Sequence, residues 1–160
     1  MRIDLHTHST ASDGTLTPGE PVTAAAAAGL DVIAVTDHDT TAGWEAALAA
    51  APPGLSVVLG AELSCRWSGV EPAISLHLLA YLFDPHSAPL ATELARLRHA
   101  RLHRAERIVE RLRADGIDVT WSEVLGYANG GTVGRPHLAQ ALVRRGLVAN
   151  TAEAFRPEWL

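Results

Sequence analysis

The apolar positions of this chain follow two rhythms. Before about residue 86, short β-branched runs are separated by alanine-rich stretches. Arg2–Leu5 predicts a short strand. Asp31–Thr36, reading DVIAVT, is a continuous apolar run of the kind found in strands buried on both faces. Ser56–Leu59 repeats that signal. Between these runs, Thr17-Pro18-Gly19-Glu20 opens a helix. Thr17 is its N-cap, Pro18 takes the first position, and Glu20 follows three residues after the cap. The alanines carry that helix to Gly29. A second helix spans Thr41–Ala50 and stops before Pro52-Pro53-Gly54. Glu62–Arg66 and Ala73–Tyr81 predict two further strands about a turn at Ser68-Gly69. The order β-α-β-α-β predicts an α/β fold, with a parallel sheet and helices packed outside it.

From Pro89 to Gly116 the period becomes helical. Leu90, Leu94, Leu97, Ala105, Ile108 and Leu112 keep mostly three- and four-residue spacing, so one face is buried. Shorter helices are predicted at Trp121–Ala128, Pro136–Arg145 and Thr151–Phe155, punctuated by glycines. No internal repeat is visible.

Composition sharpens this picture. The 160 residues are 48% apolar and 19% charged, a globular balance. No stretch reaches the length of apolar residues that a membrane span needs, and Met1–His6, with no apolar run followed by a small-residue cleavage site, is not expected to act as a secretory leader. The single Cys65 makes no internal disulfide and is expected to be buried, which fits a reducing, cytoplasmic setting. Charge is unevenly placed. Residues 1–95 carry eleven acids against two arginines, and residues 96–160 carry seven acids against eleven arginines. An acidic half suits a site that gathers cations. The basic half suits an anionic substrate, or is simply solvated.

The ionisable residues cluster where strands end. His6 and His8 flank Thr7, so both imidazoles project to one side of an extended chain. Asp37-His38-Asp39 follows the second buried strand, and Glu62 follows the third. Strand ends are where open α/β sheets and barrels place their sites. Each residue also has a plainer reading. Asp39 can cap a helix, Glu62 can sit at an exposed edge, His77 can be a satisfied core histidine, and Asp13 can belong to the turn Ser12-Asp13-Gly14. Together, His6, His8, His38, Glu62 and His77 would build a polynuclear centre, and mixed imidazole and carboxylate ligands suit Zn²⁺, Mn²⁺ or Fe²⁺. His99 and His103, one turn apart among arginines, read as a solvated face. In Gly134-Arg135-Pro136-His137, Arg135 stands at a helix start, where backbone N–H groups and a guanidinium can hold a phosphate.

The ordered motifs His6-Thr7-His8-Ser9, Ser12-Asp13-Gly14, Thr36-Asp37-His38-Asp39-Thr40 and Gly60-Ala61-Glu62-Leu63-Ser64 resemble those of the PHP (polymerase and histidinol phosphatase) phosphoesterases. The segment Ile74–Tyr81 with His77, the Arg-rich helix and Gly134-Arg135-Pro136-His137 are similar to one branch. That branch contains the 3',5'-nucleoside bisphosphate phosphatases and the RNase AM-like 5'-to-3' exoribonucleases. The resemblance implies a distorted (β/α)₇ barrel, incomplete here, with residues 1–86 as its N-terminal part and residues 87–160 as a helical insertion. It implies that His6, His8 and Glu62 hold a first metal, Glu62 with His77 a second, and Asp13 with His38 a third. It further implies Glu62, His38 and Arg135 as catalytic groups, with Arg135 and His137 on the substrate. The expected substrate is a small phosphorylated molecule, a nucleotide or an RNA end, with two or three divalent ions and no stable protein partner. Histidinol-phosphatase-like and polymerase-associated relatives, and an inactive metal-binding fragment, are the alternatives. The family's later ligand motifs have no match here, so the chain is expected to be part of a longer enzyme, with exposed sheet edges when alone.

Overall fold

A computed structural model describes residues 1–160. Three parallel strands, β1 (Ile3–Thr7), β2 (Val32–Val35) and the first part of β3 (Ser56–Trp67), lie side by side in chain order. Helices α1 (Gly19–Ala27) and α2 (Trp44–Ala49) make the crossovers. The rest of β3 pairs antiparallel with β4 (Ile74–Tyr81), completing a curled sheet of four strands, order β1-β2-β3-β4. The helical part follows as α3 (Ala88–Ala114), α4 (Trp121–Ala128), α5 (Arg135–Arg144) and α6 (Thr151–Ala154).

Two strands expected around residues 56–66 are one continuous strand. Gly60 reads as a break in the pattern, yet its role is close approach. A Cβ there would stand 2.6 Å from the Ala80 carbonyl oxygen, across the β3–β4 pair. Gly60 also offers its carbonyl to the Trp44 indole N–H at 2.9 Å, which ties α2 to the strand. At the start of α1 the expected cap shifts by one residue. The helix begins at Gly19 behind Pro18, and the Glu20 carboxylate accepts from both the Thr17 N–H and hydroxyl at 2.6 and 2.7 Å. At α4 the capping box forms fully, with Thr120 as N-cap and Glu123 reaching back to it.

Apolar burial falls into two clusters. Val22, Ala25, Ile33, Val35, Trp44 and Ala47 pack α1 and α2 against β2. A larger cluster built on Val109, Leu112, Val124, Leu138 and Leu142 joins α3 to the short helices behind it. The sheet is open at both edges. Ile3 and Leu5 on β1, and Leu76 and Leu78 on β4, are each more than 40% exposed. Cys65, expected to be buried, is only half-buried, because its strand face borders a surface cavity.

Candidate metal centre

The carboxyl ends of β1 and β2 and the middle of β3 converge on one point. His6 and His8 both reach Glu62 Oε2 with Nε2 at 2.8 Å, and the two Nε2 atoms stand 3.0 Å apart. His77 arrives from β4. It lies opposite Ser64, so it shares a face with Glu62 as a diagonal neighbour, and its Nδ1 is 2.6 Å from Glu62 Oε1. His38 enters through an isolated bridge to Glu62, with Nδ1 3.6 Å from Glu62 Oε2 and Nε2 3.6 Å from Asp13 Oδ2. Asp13 Oδ1 in turn lies 3.4 Å from His8 Nδ1. The six residues form three overlapping groups: His6, His8 and Glu62; His38, Glu62 and His77; and His8, Asp13 and His38.

This set fits divalent cations. A tetrahedral centre with ligand bonds of about 2.0–2.2 Å separates its ligand atoms by roughly 3.4 Å, close to the spacings above. His38 Nδ1 is buried and has no hydrogen-bond partner, which is costly for a nitrogen facing other polar groups unless something sits between them. Burial, reinforced by the Arg101 charge, holds the His38 imidazole down at about 4 against the pull of Asp13 and Glu62. It is therefore neutral at pH 7, as a ligand must be. Burial alone would raise the Glu62 pKa. The hydrogen bond from His6 and the neighbouring imidazoles overcome that and lower it, so Glu62 is ionised.

Two carboxylates outside the three groups keep the candidate ligands in place. Asp37 accepts from the Ser9 N–H at 2.7 Å, the Ser9 hydroxyl at 2.7 Å and the Ser12 hydroxyl at 2.6 Å. This clamps the loop that carries His8 and Asp13. The same loop is tight enough to need Gly14, where a Cβ would stand 2.5 Å from the His8 carbonyl oxygen. Asp39, at a left-handed φ of 54°, is not a helix cap. It accepts from the Ser64 N–H and hydroxyl, each at 2.7 Å, and from Arg101 Nε at 2.6 Å. Arg101 thus ties α3 to the strand ends. The sequence pattern leaves the basic half either facing an anionic substrate or solvated, and so does not single Arg101 out. A signal is nonetheless present, because Arg101 fills the gap between Leu97 and Ala105 in the apolar stripe.

A cavity of about 400 Å³ opens beside the cluster, lined by Asp13, His38, His77, Arg101, Arg104 and Arg135 among others. Arg135 is the first residue of α5, and its guanidinium carbon lies 5.6 Å from the centre of the Phe155 ring. His137 stands apart from this cavity. It is buried, its Nδ1 accepts from the Gly134 N–H at 3.0 Å, and it borders a neighbouring cavity on the far side of Asp13. His99 and His103 lie exposed, as expected, with ring centres 4.2 Å apart.

An α/β sheet carries a histidine–carboxylate cluster at its strand ends, with arginines facing it, a set of groups able to hold divalent cations beside an anion. The chain belongs to the PHP domain family, whose model matches residues 4–119. It is 38% identical over 156 residues to a 5'-3' exoribonuclease of Haemophilus influenzae, covering 97% of this chain and 55% of that one. It is also 38% identical over 156 residues to a 3',5'-nucleoside bisphosphate phosphatase of Chromobacterium violaceum, covering 96% and 53%. A crystal structure from Bifidobacterium adolescentis, assigned as a metal-dependent phosphoesterase, superposes with a TM-score of 0.89 at 37% identity, over 100% of this chain and 58% of that one. The chain thus spans about half the length of the curated relatives it matches. No helix is long and apolar enough to cross a membrane.

Proposed function

We propose that this chain carries the metal centre of a phosphoesterase that releases phosphate from a nucleotide or an RNA end. The observation that carries this reading is Glu62. It is 5% exposed, and its two oxygens face His6 and His8 on one side and His77 on the other. A carboxylate so placed can bridge two cations. His6 and His8 would complete one position, His77 and His38 a second, and Asp13 with His8 and His38 a third. Mixed nitrogen and oxygen donors favour Mn²⁺, Zn²⁺ or Fe²⁺ over Ca²⁺. When bound, such ions supply Lewis acidity and a water acidified to about neutrality.

The protein's own groups do the rest. Neutral His38 stays available because burial disfavours its cation. Arg135, Arg101 and Arg104 meet the equatorial oxygens of the phosphoryl group with fixed positive charge. Asp37 and Asp39 hold the ligand-bearing loops at their spacing before substrate arrives, which lowers the ordering cost at the moment of reaction. In this reading residues 1–86 furnish the ligands and residues 87–160 furnish the basic wall over them. The names of the relatives favour nucleotide substrates.

The test is phosphate release in the presence of Mn²⁺ from a nucleoside 3',5'-bisphosphate, a 5'-phosphorylated oligoribonucleotide and histidinol phosphate. The reading predicts release from the nucleotide substrates and its loss on chelation. Preference for histidinol phosphate, or no release from any of the three, would overturn it.

A further inference from the structure

A second group of imidazoles lies outside the Glu62 cluster. On α3, His99, His103, Glu106 and Glu110 follow one another at helical spacings of four, three and four residues, so they line one face of the helix. A different side of α3 is buried, through Leu94, Arg101, Ala105 and Val109. Packing therefore fixes the backbone that carries the two histidines, while their rings face solvent. His99 borders a cavity of about 490 Å³ together with Thr40 and Thr132, and none of the six residues of the Glu62 cluster lines it. The pair is thus a separate place on the molecule.

The Nε2 atoms of His99 and His103 stand 3.2 Å apart, against 3.0 Å for His6 and His8. Two nitrogens each about 2.0–2.1 Å from one tetrahedral ion are separated by roughly 3.3–3.4 Å, so the pair is already spaced to share one. A third group sets the tautomer. His103 Nδ1 lies 2.9 Å from Glu106 Oε2. An ionised carboxylate only accepts, so Nδ1 carries the proton, and Nε2 of the neutral ring is left with a lone pair. This is the carboxylate–histidine arrangement that orients metal-ligating imidazoles. With no ion bound, His99 Nε2–H donates to that lone pair. With an ion bound, His99 carries its proton on Nδ1 instead, a shift that solvent can mediate because the ring is exposed. Most of the nearby positive charge is engaged elsewhere: Arg96 with Glu93, Arg98 with the Asp39 carbonyl and Arg101 with the Asp39 carboxylate. Arg107, exposed beside the pair, is offset by Glu106 and Glu110.

We propose that His99 and His103 form a further metal site, a surface chelate for a late first-row divalent ion such as Zn²⁺, with Glu106 holding His103 in the ligating tautomer. The ion takes both Nε2 atoms and keeps water in its remaining positions. Imidazole ligands favour the later ions of the row, so Zn²⁺ binds such a pair more tightly than Mn²⁺ does. The site therefore differs from the Glu62 cluster in its ligand set as well as its place, and it stands independently of the phosphoesterase reading.

The experiment is carbethoxylation of the whole chain by diethyl pyrocarbonate at neutral pH, each histidine followed by peptide mass spectrometry while Zn²⁺ or Mn²⁺ is titrated. Zn²⁺ should protect His99 and His103 together, with one midpoint. His99→Gln should raise the Zn²⁺ midpoint at His103 by more than about tenfold, and Glu106→Gln should raise it by about tenfold, the cost of losing an outer partner of a ligand. Mn²⁺ should protect the pair more weakly than Zn²⁺. Glu62→Ala should leave the Zn²⁺ midpoint of the pair where it is in the parent. Absence of protection by Zn²⁺ means a hydrogen-bonded pair only and overturns the proposal. A parent-like midpoint at His103 in either His99→Gln or Glu106→Gln also overturns it, as does equal protection by Mn²⁺ and Zn²⁺. These readouts need no turnover, so a chain that hydrolyses nothing leaves this site to be judged on its own.

Discussion

Replacing Arg101 by Leu removes one partner of the most enclosed ion pair in the molecule. Arg101 Nε lies 2.6 Å from Asp39 Oδ2, with the two side chains 5% and 0% exposed. Removing one partner leaves the Asp39 carboxylate buried with only its two bonds from Ser64. Breaking such a pair costs about 3–5 kcal/mol, largely because the surviving charge has nowhere to go. In a domain of this size each kcal/mol shifts Tm by about 2–4 °C, so the expected loss is roughly 6–20 °C. That is a large share of the roughly 5–15 kcal/mol by which domains are usually stable. The exposed pair Arg96–Glu93 is the contrast: its side chains are 63% and 48% exposed, and its loss should be barely measurable. The assay is thermal unfolding in a phosphate-free buffer for Arg101→Leu, Asp39→Asn and the double variant. The double variant should be less destabilised than the sum of the two, since no unpaired charge remains. Arg101→Leu melting within about 2 °C of the parent, or strict additivity in the cycle, would refute the reasoning.

Three further outcomes follow from the same interactions. Asp37→Ala orphans three donors from Ser9 and Ser12, so it should cost about 2–4 kcal/mol in urea unfolding and weaken Mn²⁺ binding through the slackened loop. Leu138→Ala in the helical cluster should cost about 2–5 kcal/mol while leaving Mn²⁺ stoichiometry as in the parent, because Leu138 is fully buried away from the ligands. At α4, hydrogen bonds from Thr120 and then Arg145 hold the Glu123 carboxyl at about 2. Its pKa is depressed in the folded state, so its stabilisation is present above the unfolded value near 4.5 and is lost as pH falls towards 2. Parent and Glu123→Gln melting curves should therefore differ at about pH 7 and converge near pH 2.

Much of the site is legible in the sequence because strand periodicity is short. His6 and His8 share a face by the two-residue repeat, and Glu62 falls where a buried run gives way to polar residues. Its partners on other strands need only the topology of a βαβ unit. The supporting groups are not legible in the same way. Asp37 and Asp39 stand out as polar, but their acceptor roles depend on Ser9, Ser12 and Ser64, which lie 25–28 residues away. Arg101 is 62 residues from Asp39, and nothing local to either announces the pair. Gly60 misleads in the opposite direction, since a glycine within a strand signals a break and a close approach equally well. The resemblance places His137 on the substrate; its Nδ1 accepts from the Gly134 N–H at the start of the helix, a bond no sequence pattern announces, and its ring lines a cavity shared with Asp13.

The account turns on whether the six side chains of the Glu62 cluster share ions. Equilibrium dialysis of the chain against Mn²⁺, with bound metal counted by mass spectrometry, measures that directly. The prediction is at least two equivalents on the parent and a loss of at least one on Glu62→Ala. Equal metal content in parent and variant, or a parent that retains none, would contradict it.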